Sequence, residues 1–82
     1  MNDTLTPHQQ KILRGLPLLE REVFVTLWRA QTPLTIHRLR LVCPAPYPVT
    51  QLHGALKNLE QRQIITRTFK AGSHLYHVST SF

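Results

Sequence analysis

The stretch Pro48–Gln63, PVTQLHGALKNLEQRQ, decides the fold. Val49, Leu52, Leu56 and Leu59 recur at spacings of three, four and three, the period of one buried side of an α-helix. Thr50, Gln51, His53, Gly54, Lys57 and Asn58 fall between them and point the other way. That outer face carries a cation, amides and a hydroxyl, with no carboxylate before Glu60. A solvated helix face usually mixes both signs of charge. Thr, Gln, His, Lys and Asn together suit a surface of phosphates and base edges.

Downstream, Ile64–Phe69 and His74–Ser79 are rich in Ile, Thr, Phe, Tyr and Val, and Lys70-Ala71-Gly72-Ser73 lies between them. Two such runs joined by residues with a turn glycine predict a β-hairpin, with Tyr76 and Val78 facing the core and Leu75 and His77 facing away. Upstream, Leu19, Val23, Leu27 and Ala30 keep helical period, and Phe24 and Trp28 widen the stripe. A helix is expected over Pro17–Ala30, ended by Gln31-Thr32-Pro33. Leu34 is expected to make one or two strand-like bonds. Thr35 then caps a short helix, Ile36–Val42, with Ile36, Leu39 and Cys43 inward. The connector Cys43–Pro48, CPAPYP, should be stiff and extended, and either Tyr47 or Thr50 would cap the helix after it. Thr6-Pro7 starts a short N-terminal helix, His8–Arg14, that Gly15 ends. A helix this short needs something to pack on, either the body of the domain or a second subunit.

The expected fold is therefore α+β and mainly helical: a three-helix core, a C-terminal β-hairpin and an extra short N-terminal helix. Residues 1–15 form the N-terminal extension and residues 16–82 the domain. At 82 residues the chain is long enough for one small core. Ten Lys+Arg against four Asp+Glu leave a net charge of +6, which raises the expectation of a polyanionic partner. The charge is spread evenly, +3 in each half, so a basic stripe must be made by folding.

Other chemistries have little to stand on. Cys43 is the only cysteine, so neither an internal disulfide nor a cysteine-based zinc site is available, and no cofactor is expected. The five histidines are scattered, with His74 and His77 on opposite faces of one strand. Catalysis is not expected either. Asp3 is the only aspartate, Glu20 and Glu22 do not face each other on a helix, and no phosphate-cradling glycine loop is present. Without a membrane-length apolar run or the basic and apolar regions of a signal peptide in MNDTLTPHQQ, a cytoplasmic protein is expected.

LPLLEREVFVTLW, PLTIHRL, LKNLEQRQIITR and the hairpin with Gly72 and Tyr76-His77-Val78-Ser79 resemble winged helix-turn-helix regulators. The resemblance covers Leu16–Ser79 and is to the penicillinase-repressor type and the broader multiple-antibiotic-resistance type. Its most specific piece is Leu56-x-x-Leu59-Glu60 followed by Ile64-Ile65-x-Arg67. The chain departs from the pattern in three ways. Gln63 stands where these families carry glycine, the connector is proline-rich, and no helical dimerisation region follows the hairpin before Phe82.

The resemblance implies a sequence-specific, double-stranded-DNA-binding transcriptional regulator, a repressor. The helix over 48–63 would enter the major groove and the hairpin, or wing, would lie on the backbone. It places Thr50, Gln51, His53, Gly54, Lys57 and Asn58 on the reading face. Gln51 and Asn58 suit adenine edges, and Lys57 suits guanine or phosphate. Gly54 would permit close approach to the groove or to another backbone. Arg62, Arg67, Lys70, Ser73 and His74 would meet backbone phosphates, with Arg38 and Arg40 as further phosphate contacts. A homodimer, if formed, would use the N-terminal helix. Two other readings fit the same pattern: a winged helix used for protein–protein contact, as in small mobile-element or phage-type proteins, and a nonspecific structural DNA binder.

Overall fold

Thr6 begins the first helix. Its hydroxyl accepts from the Gln9 N–H at 3.1 Å, while the Gln9 side chain accepts from the Thr6 N–H at 2.9 Å. This reciprocal capping satisfies two donors that a helix start otherwise leaves open. The computed structural model describes residues 5–80 and 82. It is α+β and mainly helical. Four helices, α1 (Pro7–Arg14), α2 (Leu18–Ala30), α3 (Ile36–Val42) and α4 (Val49–Gln61), precede a two-stranded antiparallel hairpin, β1 (Ile65–Lys70) and β2 (Ser73–Val78).

The core is one cluster in which α2 and α4 contribute most. Val23, Phe24 and Leu27 of α2 meet Leu52, Ala55, Leu56 and Leu59 of α4, with Leu39 of α3 and Ile65 and Tyr76 of the hairpin closing around them. Burying each such large apolar side chain stabilises the fold by about 1.5–3 kcal/mol. Leu34 makes the expected strand-like bonds, and they fall on Tyr76. Its N–H donates to the Tyr76 carbonyl at 2.9 Å and its carbonyl accepts from Tyr76 at 2.7 Å. The loop after α2 is thereby tied to the hairpin.

Helix α1 packs on its own chain. Leu13 and Leu16 are buried in the common core, and Gln9 Nε2 donates to the Phe82 carbonyl at 2.8 Å. The Phe82 ring stands edge-on to Phe24, centroids 5.2 Å apart. The apolar side of α1 is thus already covered, which removes the physical reason for assigning this helix to a dimer contact.

Three local expectations are revised. Pro48 caps α4, in place of Tyr47 or Thr50, and no side chain satisfies that helix start. The connector bends instead of running extended. The Tyr47 N–H turns back to the Ala45 carbonyl at 2.9 Å, and the phenol donates to Glu22 Oε2 on α2. The hairpin is tighter than its sequence suggests: Lys70 pairs with Ser73, leaving only Ala71 (φ 52°) and Gly72 (φ 79°) in the turn. Positive φ at both residues is the twist that matches flanking strands.

Gln63 stands just past the end of α4 at φ 62°. Its N–H donates to the Glu60 carbonyl at 2.9 Å, and the Ile64 N–H donates to Leu59 at 3.0 Å. This is the paired-bond helix ending that glycine normally serves, because a Cβ is disfavoured in left-handed geometry. Ile64 and Leu59 are both buried beneath it. Gln63→Gly is expected to stabilise the protein by about 1 kcal/mol, read as a shift in the urea midpoint at unchanged slope.

Its hydrogen bond to Glu22 holds the Tyr47 phenol above the ordinary tyrosine range, and burial and the Glu22 charge act in the same direction. The folded-state value is raised. The contact is therefore fully stabilising below the unfolded tyrosine pKa, about 10, and is lost as pH rises through the folded value. Absorbance titration should show one of the two tyrosines ionising late, and Glu22→Gln should return it to the usual range.

Candidate nucleic-acid interface

Helix α4 presents four longitudinal strips. Its apolar strip is buried against α2 and α3. On the opposite side, Thr50, Gly54 and Lys57 lie along the centre of the exposed surface, each about one turn from the next. Gln61 continues this line and is exposed. The sequence reading missed Gln61, although the same i, i+4, i+7, i+11 spacing would have included it.

The flanks of the helix differ. On one flank His53 and Lys57 join Glu60, Arg67 and Tyr76 around a recess of about 250 Å³ between α4 and the hairpin. Alternation along the strands explains why Arg67 is there. Ile65, Arg67 and Phe69, with their cross-strand partners Val78, Tyr76 and His74, occupy one hairpin face, and Ile65 and Tyr76 turn that face toward the core. Arg67 Nε meets Glu60 Oε2 at 3.2 Å. Both groups are partly solvated, so the pair contributes at most about 1 kcal/mol.

On the other flank lie Gln51 and Asn58, toward α2. Asn58 Nδ2 donates to Glu20 Oε2 at 3.2 Å. Glu20 is only 7% exposed, and its Oε1 has no hydrogen-bond partner among the described residues. Asn58 is therefore committed at least partly to holding α4 against α2, a role that its place on the polar face of the sequence pattern conceals.

All the predicted contact residues are exposed, but they do not form one patch. Thr50, His53, Gly54, Lys57, Arg67 and His74 belong to the α4 surface and the hairpin face beside it. Lys70 and Ser73 pair at the tip on the opposite hairpin face. Arg62 caps the end of α4. Arg38 lines a groove between α2 and α3 and lies apart from α4. A second residue escaped the sequence reading: Phe69, 67% exposed, stands edge-on to His74 at 5.0 Å near the hairpin tip. An aromatic flanked by Thr68 and Lys70 in a strand looks like a core residue in sequence, and only the length by which the hairpin projects leaves it outside.

Among the described residues no cluster of His, Cys, Asp and Glu could hold a metal ion, and no helix is long and apolar enough to cross a membrane. Burial pushes the Cys43 thiol up; its 3.8 Å contact with Thr26 Oγ1 opposes this and the Glu22 charge adds to it. It is a packed thiol without an activating partner.

Two substitutions separate reading from holding on α4. Asn58→Ala strips the buried Glu20 of its donor and is expected to lower unfolding stability by about 1–3 kcal/mol. Lys57→Ala, on the open centre line, should change stability by less than about 0.5 kcal/mol in the same urea titration. No family model matches the chain, and no curated protein matches it.

Proposed function

We propose that this chain is a winged helix-turn-helix protein that binds duplex DNA as a sequence-specific transcriptional repressor. In this reading α3 and α4 form the helix-turn-helix, α4 enters the major groove, and the hairpin is the wing on the flanking backbone. Such a protein works in the cytoplasm. The element order, the packing of α4 on α2 and α3, and the hairpin rising beside α4 all support it. So does the resemblance of Leu16–Ser79 to penicillinase-repressor-type regulators.

The observation that carries the reading is Gly54. A glycine inside a helix costs about 1 kcal/mol relative to alanine. Such a cost is often explained by a close neighbour, but a Cβ built on Gly54 meets nothing within 4 Å. Nothing in the folded chain requires glycine there. It sits on the centre line of the exposed surface, between Thr50 and Lys57, where a groove wall would come closest. Lys57 and Arg67 bring positive charge beside it, with His53 at the same recess. Gln51 offers a bidentate amide for base edges, and Lys57 reaches guanine or phosphate. Arg62, Lys70, Ser73 and His74 contact the backbone and set register. Phe69 suits the sugar wall of the minor groove beneath the wing.

The test is a titration of labelled duplexes, the gene's own upstream region against a scrambled sequence, at two salt concentrations. Gly54→Ala is expected to raise stability by about 0.5–1 kcal/mol while weakening the preferred duplex about tenfold. Gln51→Ala should erode the preference between duplexes. Lys57→Ala and Lys70→Ala should each weaken binding and lower the salt slope by about one unit, with Lys70→Ala affecting all duplexes alike. A Gly54→Ala protein that is more stable yet binds DNA unchanged would remove the main support. Equal loss of both duplexes with rising salt would reduce the +6 charge to nonspecific attraction.

A further inference from the structure

A second surface lies apart from α4 and the hairpin. Helices α2 and α3 leave between them a groove of about 480 Å³, and no residue of α4 or of either strand lines it. Val25, Ala30, Leu34 and Val42 give it apolar walls. Arg21, Arg29 and Arg38 stand around them. Arg21 and Arg29 are eight residues apart on α2, roughly 12 Å along the helix, with Val25 midway between them. Arg21 is held in place, since its Nη2 donates to the carbonyls of Arg14 and Leu16 at 3.3 and 3.2 Å. Arg29 and Arg38 have no side-chain partner among the described residues.

The apolar surface continues past the groove. Leu18, two turns before Val25 on the same side of α2, is 63% exposed. On α3, Val42, which lines the groove, is 53% exposed. Isolated exposed leucines need no explanation. Val25 and the exposed Val42 on facing walls of one groove, with Leu18 further along the same side of α2, call for one.

The chemistry narrows the occupant. An interhelical groove with apolar walls accepts the apolar ridge of a third helix. The arginine rim calls for carboxylates beside that ridge, because the one carboxylate on the walls, Glu22, is taken by Tyr47. A second copy of this chain has few to offer. It has four acidic residues in all, of which Glu20 is buried, Glu22 holds Tyr47 and Glu60 pairs with Arg67. A duplex would satisfy the arginines but has no apolar ridge to fill the groove. An anionic bilayer would reach the rim but stay outside a concave floor. We propose that the α2–α3 groove docks an acidic amphipathic helix of a partner protein. Apolar residues at i, i+3/i+4 and i+7 would lie on Val25, Leu34 and Val42, with flanking carboxylates on Arg21, Arg29 and Arg38.

The test uses the full chain and a fluorescein-labelled helical peptide of about 18 residues, with leucines on one stripe and glutamates on the rest. One control has the same composition with the leucines scattered around the helix. A second carries lysine for glutamate. The patterned acidic peptide is expected to bind at least about tenfold more tightly than either control. Val42→Asp and the double change Arg29→Glu/Arg38→Glu should each weaken it by about tenfold or more, with circular dichroism confirming that both variants fold. All three positions are exposed, so folding should survive. The double variant should also gain affinity for the lysine peptide. Equal binding of the scattered peptide would reveal charge attraction alone and overturn the proposal. So would indifference to Val42→Asp, and so would phosphatidylglycerol vesicles that need the same residues while the peptides are not distinguished. None of these outcomes depends on whether the chain binds DNA.

Discussion

The packing of Leu52, Leu56 and Leu59 on Val23, Phe24 and Leu27 is the constraint from which the rest of the molecule follows. These side chains are almost completely buried. With that strip of α4 fixed inward, the 3.6-residue period leaves Thr50, Gly54, Lys57 and Gln61 on the outside with no freedom to rotate away. The helix ending at Gln63 then sends Ile64 and Ile65 back into the same core, so β1 leaves alongside α4. The position of the hairpin is thus inherited from α4. Arg67 reaches the recess beside His53 and Lys57 because Ile65, two residues earlier on the same strand face, is held inside.

A second layer of order is polar. Each of the three glutamates joins two elements: Glu20 binds Asn58 across α2 and α4, Glu22 binds Tyr47 in the connector, and Glu60 binds Arg67 in β1. Asp3, the remaining acid, lies outside the described residues. The negative charge of the described chain is therefore committed to internal contacts, and most of its cations have no carboxylate beside them. An even distribution of charge along the sequence becomes two separate basic surfaces, one at α4 and the hairpin, the other at the α2–α3 groove. Of the three contacts, the one to Glu20 has the highest stakes, because a buried carboxylate with one oxygen already unpartnered tolerates no further loss. Those at Tyr47 and Arg67 are nearer the surface and matter more for position than for stability.

Much of this was legible in the chain. The four helices, their caps at Thr6 and Thr35, the inward faces of α2 and α4 and the existence of the hairpin all follow from periodicity and from residue types a few positions apart. The exposed centre line of α4 was also legible, apart from Gln61 at its end. The errors lie where a short-range signal was ambiguous. Pro48 took the cap that Tyr47 or Thr50 was expected to hold. Ala71 accepted a positive φ that residue type disfavours, so the turn closed with two residues instead of four. The connector bent because Tyr47 had a distant partner in Glu22.

Sequence alone determined the elements, the buried strip of α4 and the excess of positive charge, because hydrophobic period, capping and composition are local or additive properties. Only the tertiary structure decided that Asn58 serves Glu20, that Lys70 and Ser73 turn away from Arg67, and that Phe69 projects into solvent. It alone made the groove between α2 and α3 with its ring of arginines. These features join side chains from separate elements, 38 residues apart in the case of Glu20 and Asn58. No pattern within one segment specifies which partner another segment will bring to it.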